Sequence, residues 1–117
     1  MKDLKISKEL LSEVLKLEVV KHSLYNEFHK SFNITYMPSE DSIKSRWMPI
    51  NIYEFAHKCK EWAYLQYGII IQSYLYNGKW RVDILKGIEI DEFFKNINSE
   101  PEAIIKACEW VLSEVNR

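Results

Sequence analysis

The dipeptide Asn77–Gly78 lies between two runs rich in β-branched and aromatic residues, "IIIQSYLY" and "KWRVDIL". Asn-Gly between such runs is the strongest short-range signal for a two-residue hairpin loop, because both central residues of its turn need positive φ. A loop that short fixes the register of the strands it joins. Tyr76 then stands opposite Lys79, Leu75 opposite Trp80, Tyr74 opposite Arg81, Ser73 opposite Val82, Gln72 opposite Asp83 and Ile71 opposite Ile84. Side chains alternate between the two faces of a strand. One face therefore carries Ile71, Leu75, Trp80, Val82 and Ile84 and reads as core. The other carries Ile70, Gln72, Tyr74, Tyr76, Lys79, Arg81 and Asp83 and reads as half wet.

Helical spacing marks three further segments. "SKELLSEVLK" has Ser7 as an N-cap and an apolar stripe of Leu10, Leu11, Val14 and Leu15. "NIYEFAHKCKEWAYLQYG" is the clearest helix. Asn51 with Glu54 forms a capping-box pattern, Ile52, Phe55, Ala56, Cys59, Trp62 and Ala63 share one stripe, and Gly68 suits a left-handed C-terminal cap. The last helix opens on Ser99 with Pro101 and Glu102. It turns Ala103, Ile104, Ala107, Cys108, Val111 and Val115 inward.

Phe32, Ile34 and Tyr36 alternate with Asn33 and Thr35, and the β-prone stretch from Val19 to Tyr25 precedes them. The spacing predicts a second hairpin turning near Asn26–Glu27. Residues 37–49 read as a polar connection bracketed by Pro38 and Pro49. "KGIEIDEFFKNIN" has no clear period, with Phe93 and Phe94 placed to pack over an edge of the core. The resulting order, α-β-β-α-β-β-α over a single domain spanning 1–117, is an α+β fold: an antiparallel sheet built from two hairpins packed against helices.

The chain has 117 residues, 47% of them hydrophobic and 28% charged, in keeping with one globular domain. Its formal charge of −1, with Lys and Arg scattered among Glu and Asp, counts against a nucleic-acid stripe. No stretch approaches the roughly 18 consecutive apolar residues of a membrane span. "MKDLKISKELL" lacks the apolar segment of a signal peptide. A cytoplasmic location with free thiols is the expectation.

His57 and Cys59 raise the question of a nucleophile–base pair or half a metal site. Residues two apart on a helix point about 200° from each other, so the pair cannot share a proton or a metal. Cys59 lies on the inward stripe, whereas a reactive thiol needs exposure and a positive surrounding. "IKACEW" around Cys108 resembles "HKCKEW", but the two cysteines fall out of step when the Glu-Trp pairs are aligned. The two cysteines and three histidines lack zinc-ligand spacing. Three glycines offer no phosphate loop, and neither a nucleophile elbow nor an H-E-x-x-H pattern occurs. Glu89, Asp91 and Glu92 in "EIDEFF" read as a solvated charged turn. No catalytic residue, cofactor or metal is expected, and the chain is read as not an enzyme.

The candidate interaction surface is the half-wet hairpin face with Tyr74, Tyr76, Lys79 and Arg81. Tyr and Arg are enriched where interfaces draw most of their binding energy. Tyr74 opposite Arg81 is placed for a cation–π stack. The competing structural reading covers this face with helices. A protein partner is the first expectation, and a nucleic-acid accessory role is the alternative, with single-stranded bases stacking on the rings. A homodimer using Trp47 and Trp110 also fits the aromatic content.

At "ISKELLSEVL", "INIYEFAHKCKEWA" and "SEPEAIIKACEWVL" the chain resembles a group of small hypothetical proteins of phages and prophages. The group is similar in turn to the phage ABA-sandwich proteins of unknown function. The resemblance covers about a third of the chain, at both ends and the middle helix. It implies an accessory protein of phage or prophage origin, with host takeover or anti-defence as the suited roles. It carries over no catalytic residue.

Overall fold

The computed structural model describes residues 4–38 and 44–117. Its elements are α1 (Lys8–Leu15), β1 (Glu18–His22), β2 (Ser31–Met37), β3 (Arg46–Asn51), α2 (Ile52–Tyr67), β4 (Ile69–Tyr76), β5 (Lys79–Lys86), β6 (Glu89–Ile97) and α3 (Glu100–Val115). The α+β class holds, with antiparallel hairpins packed against helices. Each expected hairpin gains a third strand, and the two meanders form separate sheets in the orders β1-β2-β3 and β4-β5-β6.

All three helix starts form as their side chains dictate. Ser7 Oγ accepts from the Leu10 amide at 3.0 Å and donates to Glu109 Oε1 at 2.7 Å, which ties the start of α1 to α3. Asn51 Oδ1 accepts from the amides of Tyr53 and Glu54 at 2.9 and 3.1 Å. Ser99 Oγ donates to Glu102 Oε1 at 3.0 Å. Gly68 closes α2 at φ +66°, where a side chain would be strained. The six stripe residues of α2 are the six that it buries. On α3 the stripe runs Ala103 to Leu112, and Val115, expected inward, is exposed at the last turn.

The β1–β2 turn is wider than expected. Asn26 and Ser31 exchange backbone hydrogen bonds at 2.8 and 3.3 Å, and Asn26 Oδ1 accepts from the His29 amide. The reversal therefore occupies residues 27–30, ending at Lys30 with φ +53°. The end of the expected polar connection is β3, which pairs with β2 from Arg46 opposite Tyr36 to Asn51 opposite Ser31. Residues 39–43 of that connection lie outside the described residues. Pro49 tolerates the strand because β3 is an edge and needs no donor on its open side.

The β4–β5 register is the one that the Asn77–Gly78 loop demands, pair by pair from Ile71–Ile84 to Tyr76–Lys79. β6 then pairs with β5, with irregularities between Trp80 and Val82 and between Ile84 and Leu85. The carboxylates Glu89, Asp91 and Glu92 thus sit on an edge strand and not in a solvated turn. The buried residues form one cluster running from Ile6 and Leu10 through Phe32, Ile34 and Phe55 to Val82, Ile84 and Val111. α2 packs on α3, both lie against β4, and α3 also lies on β5 and β6. The molecule measures 47 × 32 × 20 Å, and its shortest dimension fits one helix layer on one sheet layer. The helices thus cover one face of β4-β5-β6, and among the described residues no helix lies on the other.

Candidate functional site

Residues directly opposite in antiparallel pairs share a face. On the helix-covered side of the second sheet lie Ile71 with Ile84, and Val82 with Phe94. The helix-free side has four rows. Ile70, Leu85 and Ile90 form one, Gln72, Asp83 and Phe93 the next, and Tyr74 with Arg81 the third, followed by Tyr76 opposite Lys79. Ile70, Tyr74, Tyr76, Ile90 and Phe93 are all exposed. Antiparallel sheets commonly leave one face to solvent, but that face is then usually polar. This one is aromatic and aliphatic.

Asp83 sits in the middle of the face and is nonetheless only 5% exposed. Its carboxylate accepts from the Tyr74 hydroxyl at 2.9 Å and from Arg81 Nε at 2.8 Å. The Arg81 guanidinium lies over the Phe93 ring, 4.2 Å from its centre. Four side chains from three strands therefore lock one another. The hydrogen bond to Asp83 raises the Arg81 pKa above the ordinary guanidinium value, so Arg81 stays charged. Partial desolvation, then the bond to Asp83, raises the Tyr74 phenol above the ordinary tyrosine value. Lys79 Nζ donates to Asn98 Oδ1 at 2.6 Å, and Lys86 Nζ lies 3.7 Å from Asp91.

The expected surface residues Tyr74, Tyr76, Lys79 and Arg81 share this helix-free face, so helices do not cover it. The expected cation–π pair is different. Arg81 stacks on Phe93, while Tyr74 turns its hydroxyl to Asp83. Asp83, expected half wet, is buried beneath its partners. Leu75, expected in the core, is 62% exposed, because the hairpin tip runs past the helices that cover the rest of β4. Phe94 packs against the core as expected, but Phe93, expected with it, lies on the open face, and Ile90 was not singled out, because β6 was not recognised as a strand. The usable signal was the short link, Gly87–Ile88, after β5.

Cys59 and Cys108 are both fully buried and free. Burial, followed by a side-chain hydrogen bond with Cys108, pushes the Cys59 thiol well above its ordinary pKa. The two cysteines meet at the α2–α3 interface and are packing groups, not nucleophiles. We expect a thiol reagent to label neither in the native protein and both after denaturation; rapid native labelling would refute this. His57, by contrast, is on the surface and pairs with Glu61 at 3.0 Å.

Trp47 is 70% exposed on edge strand β3, whereas Trp110 packs against the core. Among the described residues, no group of three or more His, Cys, Asp or Glu is arranged to hold a metal ion. Among the same residues, no helix is long and apolar enough to cross a membrane. No protein-family model, curated protein or solved structure matches this chain.

Proposed function

We propose that this chain works by protein–protein contact and not by catalysis, through the helix-free face of β4-β5-β6. The observation that carries this reading is the aromatic and aliphatic character of an open sheet face organised around Asp83. Contiguous exposed apolar patches mark interaction sites, and Tyr and Arg held in fixed positions lose little entropy on docking. The resemblance of the helix motifs to small phage and prophage proteins supports a cytoplasmic accessory role, of the host-takeover or anti-defence kind.

The test is a tagged pull-down from host lysate, with and without nuclease, comparing wild type with Tyr76→Ala and Ile90→Ala. Both side chains are exposed, so both variants keep the fold. A protein captured by wild type after nuclease treatment, and lost by both variants, is the expected result. Equal capture by all three would move the contact to another surface.

One arrangement favours a second reading. Arg81 neutralises Asp83, and Lys79 stands opposite Tyr76 beside rings on which bases can stack. That reading requires a single-stranded oligonucleotide to bind at low salt, with affinity falling steeply as salt rises.

A further inference from the structure

Each three-stranded sheet has two edge strands, and three of the four carry features that discourage pairing with another chain. β1 has Glu18, Lys21 and a register shift between Val19 and Lys21. β3 has Arg46 and Pro49, and β6 has Glu89, Asp91, Glu92, Lys95 and two irregularities. β4 has none of these. Its eight residues include no charge and no proline, and its register with β5 is unbroken.

Tyr76 and Lys79 flank a two-residue loop and so form a hydrogen-bonded pair, from which bonded and non-bonded pairs alternate. Tyr76, Tyr74, Gln72 and Ile70 therefore turn their N–H and C=O groups to β5. Ile69, Ile71, Ser73 and Leu75 turn theirs to the open edge, where β4 has no partner strand among the described residues. The side chains of these four point to the helix-covered side, where Ser73 Oγ donates to Glu100 of α3 at 3.1 Å. A hollow of about 250 Å³ lies beside this edge, between Lys60, Glu61 and Tyr64 of α2 and Ile69, Ile70 and Ile71 of β4, and its walls are almost wholly apolar. At the other end of the strand Leu75, on the same side of the sheet, is 62% exposed.

We infer that a second copy of this chain pairs edge to edge with the first, β4 antiparallel to β4, about a two-fold axis at Gln72. The outward residues 69, 71, 73 and 75 map onto themselves only about residue 72, so this register leaves none of them unpaired. Ile69 stands opposite the partner's Leu75, and Ile71 opposite the partner's Ser73; each such pair exchanges two hydrogen bonds. The same register carries each Leu75 to the helix-covered side of the other copy's Ile69, where the hollow lies. The exposed leucine of one copy fills the apolar hollow of the other, twice, as an isologous contact requires. A foreign strand satisfies the same backbone groups, but the match of Leu75 to the hollow is a property of β4 itself. The product is a six-stranded sheet with both open faces on one side, so the edge contact does not depend on the contact proposed for the open face.

Sedimentation velocity on the full chain, from micromolar to near-millimolar protein, tests it together with cysteine cross-linking. Wild type shifts from monomer to dimer across the series. Gln72→Cys, at an exposed position, meets its own copy at a Cα separation of about 4.5 Å, and mild oxidation links the two chains. Ile70→Cys, also exposed, lies about 14 Å from its own copy and stays unlinked. Cys59 and Cys108 are buried and do not compete. Leu75→Ala leaves the hollow empty and weakens the dimer roughly tenfold or more, since each copy loses a leucine from the contact. Helical content and melting temperature, followed in each variant, identify any that fails to fold. A wild-type chain that stays monomeric throughout overturns the proposal. So does a dimer that Leu75→Ala leaves at full strength, or one that Ile70→Cys links as readily as Gln72→Cys. Protein capture by the open face is scored separately, through Tyr76→Ala and Ile90→Ala. A linked dimer that captures nothing upholds the edge contact alone, and a monomer that still captures its partner upholds the open face alone.

Discussion

Phe55→Ala is expected to lower the unfolding free energy by about 3–5 kcal/mol, the range for emptying a buried phenylalanine site. Phe55 is 1% exposed and meets Phe32 of β2 edge to face, with ring centres 6.1 Å apart. α2 also packs on α3 and on β4. The ring is thus where the first sheet is fastened to the helices that back the second. Domains of this size have about 5–15 kcal/mol in total, so the loss is a large share of the fold's margin. Urea unfolding measures it as a lower midpoint at unchanged slope. Trp47→Ala is the control: a ring larger still but 70% exposed, whose removal changes stability by about 0.5 kcal/mol at most. A Phe55→Ala loss below about 1 kcal/mol would mean that the two sheets are not joined through this contact.

What the sequence made legible divides along physical lines. The β4–β5 pairing was readable to the residue because a two-residue loop leaves one register. The α2 stripe was readable because its cap, its period and its Gly68 stop agree, and consistency between local signals is what makes a segment unambiguous. β3 and β6 were not readable, for different reasons. β3 carries Pro49 and follows a polar segment; such a strand survives only at an edge, where tertiary context supplies the decision. β6 is an edge strand with charged residues along it, which protects its open side from pairing with other chains. Its two irregularities also break the period-two pattern on either side of Phe93 and Phe94, which face opposite ways as regular neighbours do.

The candidate site was legible as far as its strands were. Tyr74, Tyr76, Lys79 and Arg81 follow from the hairpin alone. The lock among them does not, because it depends on Phe93 arriving from β6. Asp83 illustrates the limit. Strand alternation placed it on the outer face, but its burial comes from three larger neighbours closing over it. Alternation assigns a face and says nothing about what the other side chains on that face will do.

Asp83 should therefore separate stability from surface organisation. Asp83→Ala leaves the Tyr74 hydroxyl and the Arg81 Nε–H without their acceptor, at a cost of about 1–3 kcal/mol. Asp83→Asn is nearly the same size and keeps one acceptor oxygen, while it removes the charge that holds Arg81. The asparagine variant is expected to unfold within about 1 kcal/mol of wild type. It should nevertheless lose association through the open face, because Arg81 no longer has the anchor that holds it over Phe93. The pair of measurements is urea unfolding and pull-down capture with the same preparations. Stability retained with association lost assigns Asp83 to positioning the surface. Association retained by Asp83→Asn would show that Arg81 finds its place over Phe93 without the charge, leaving the carboxylate only a structural part.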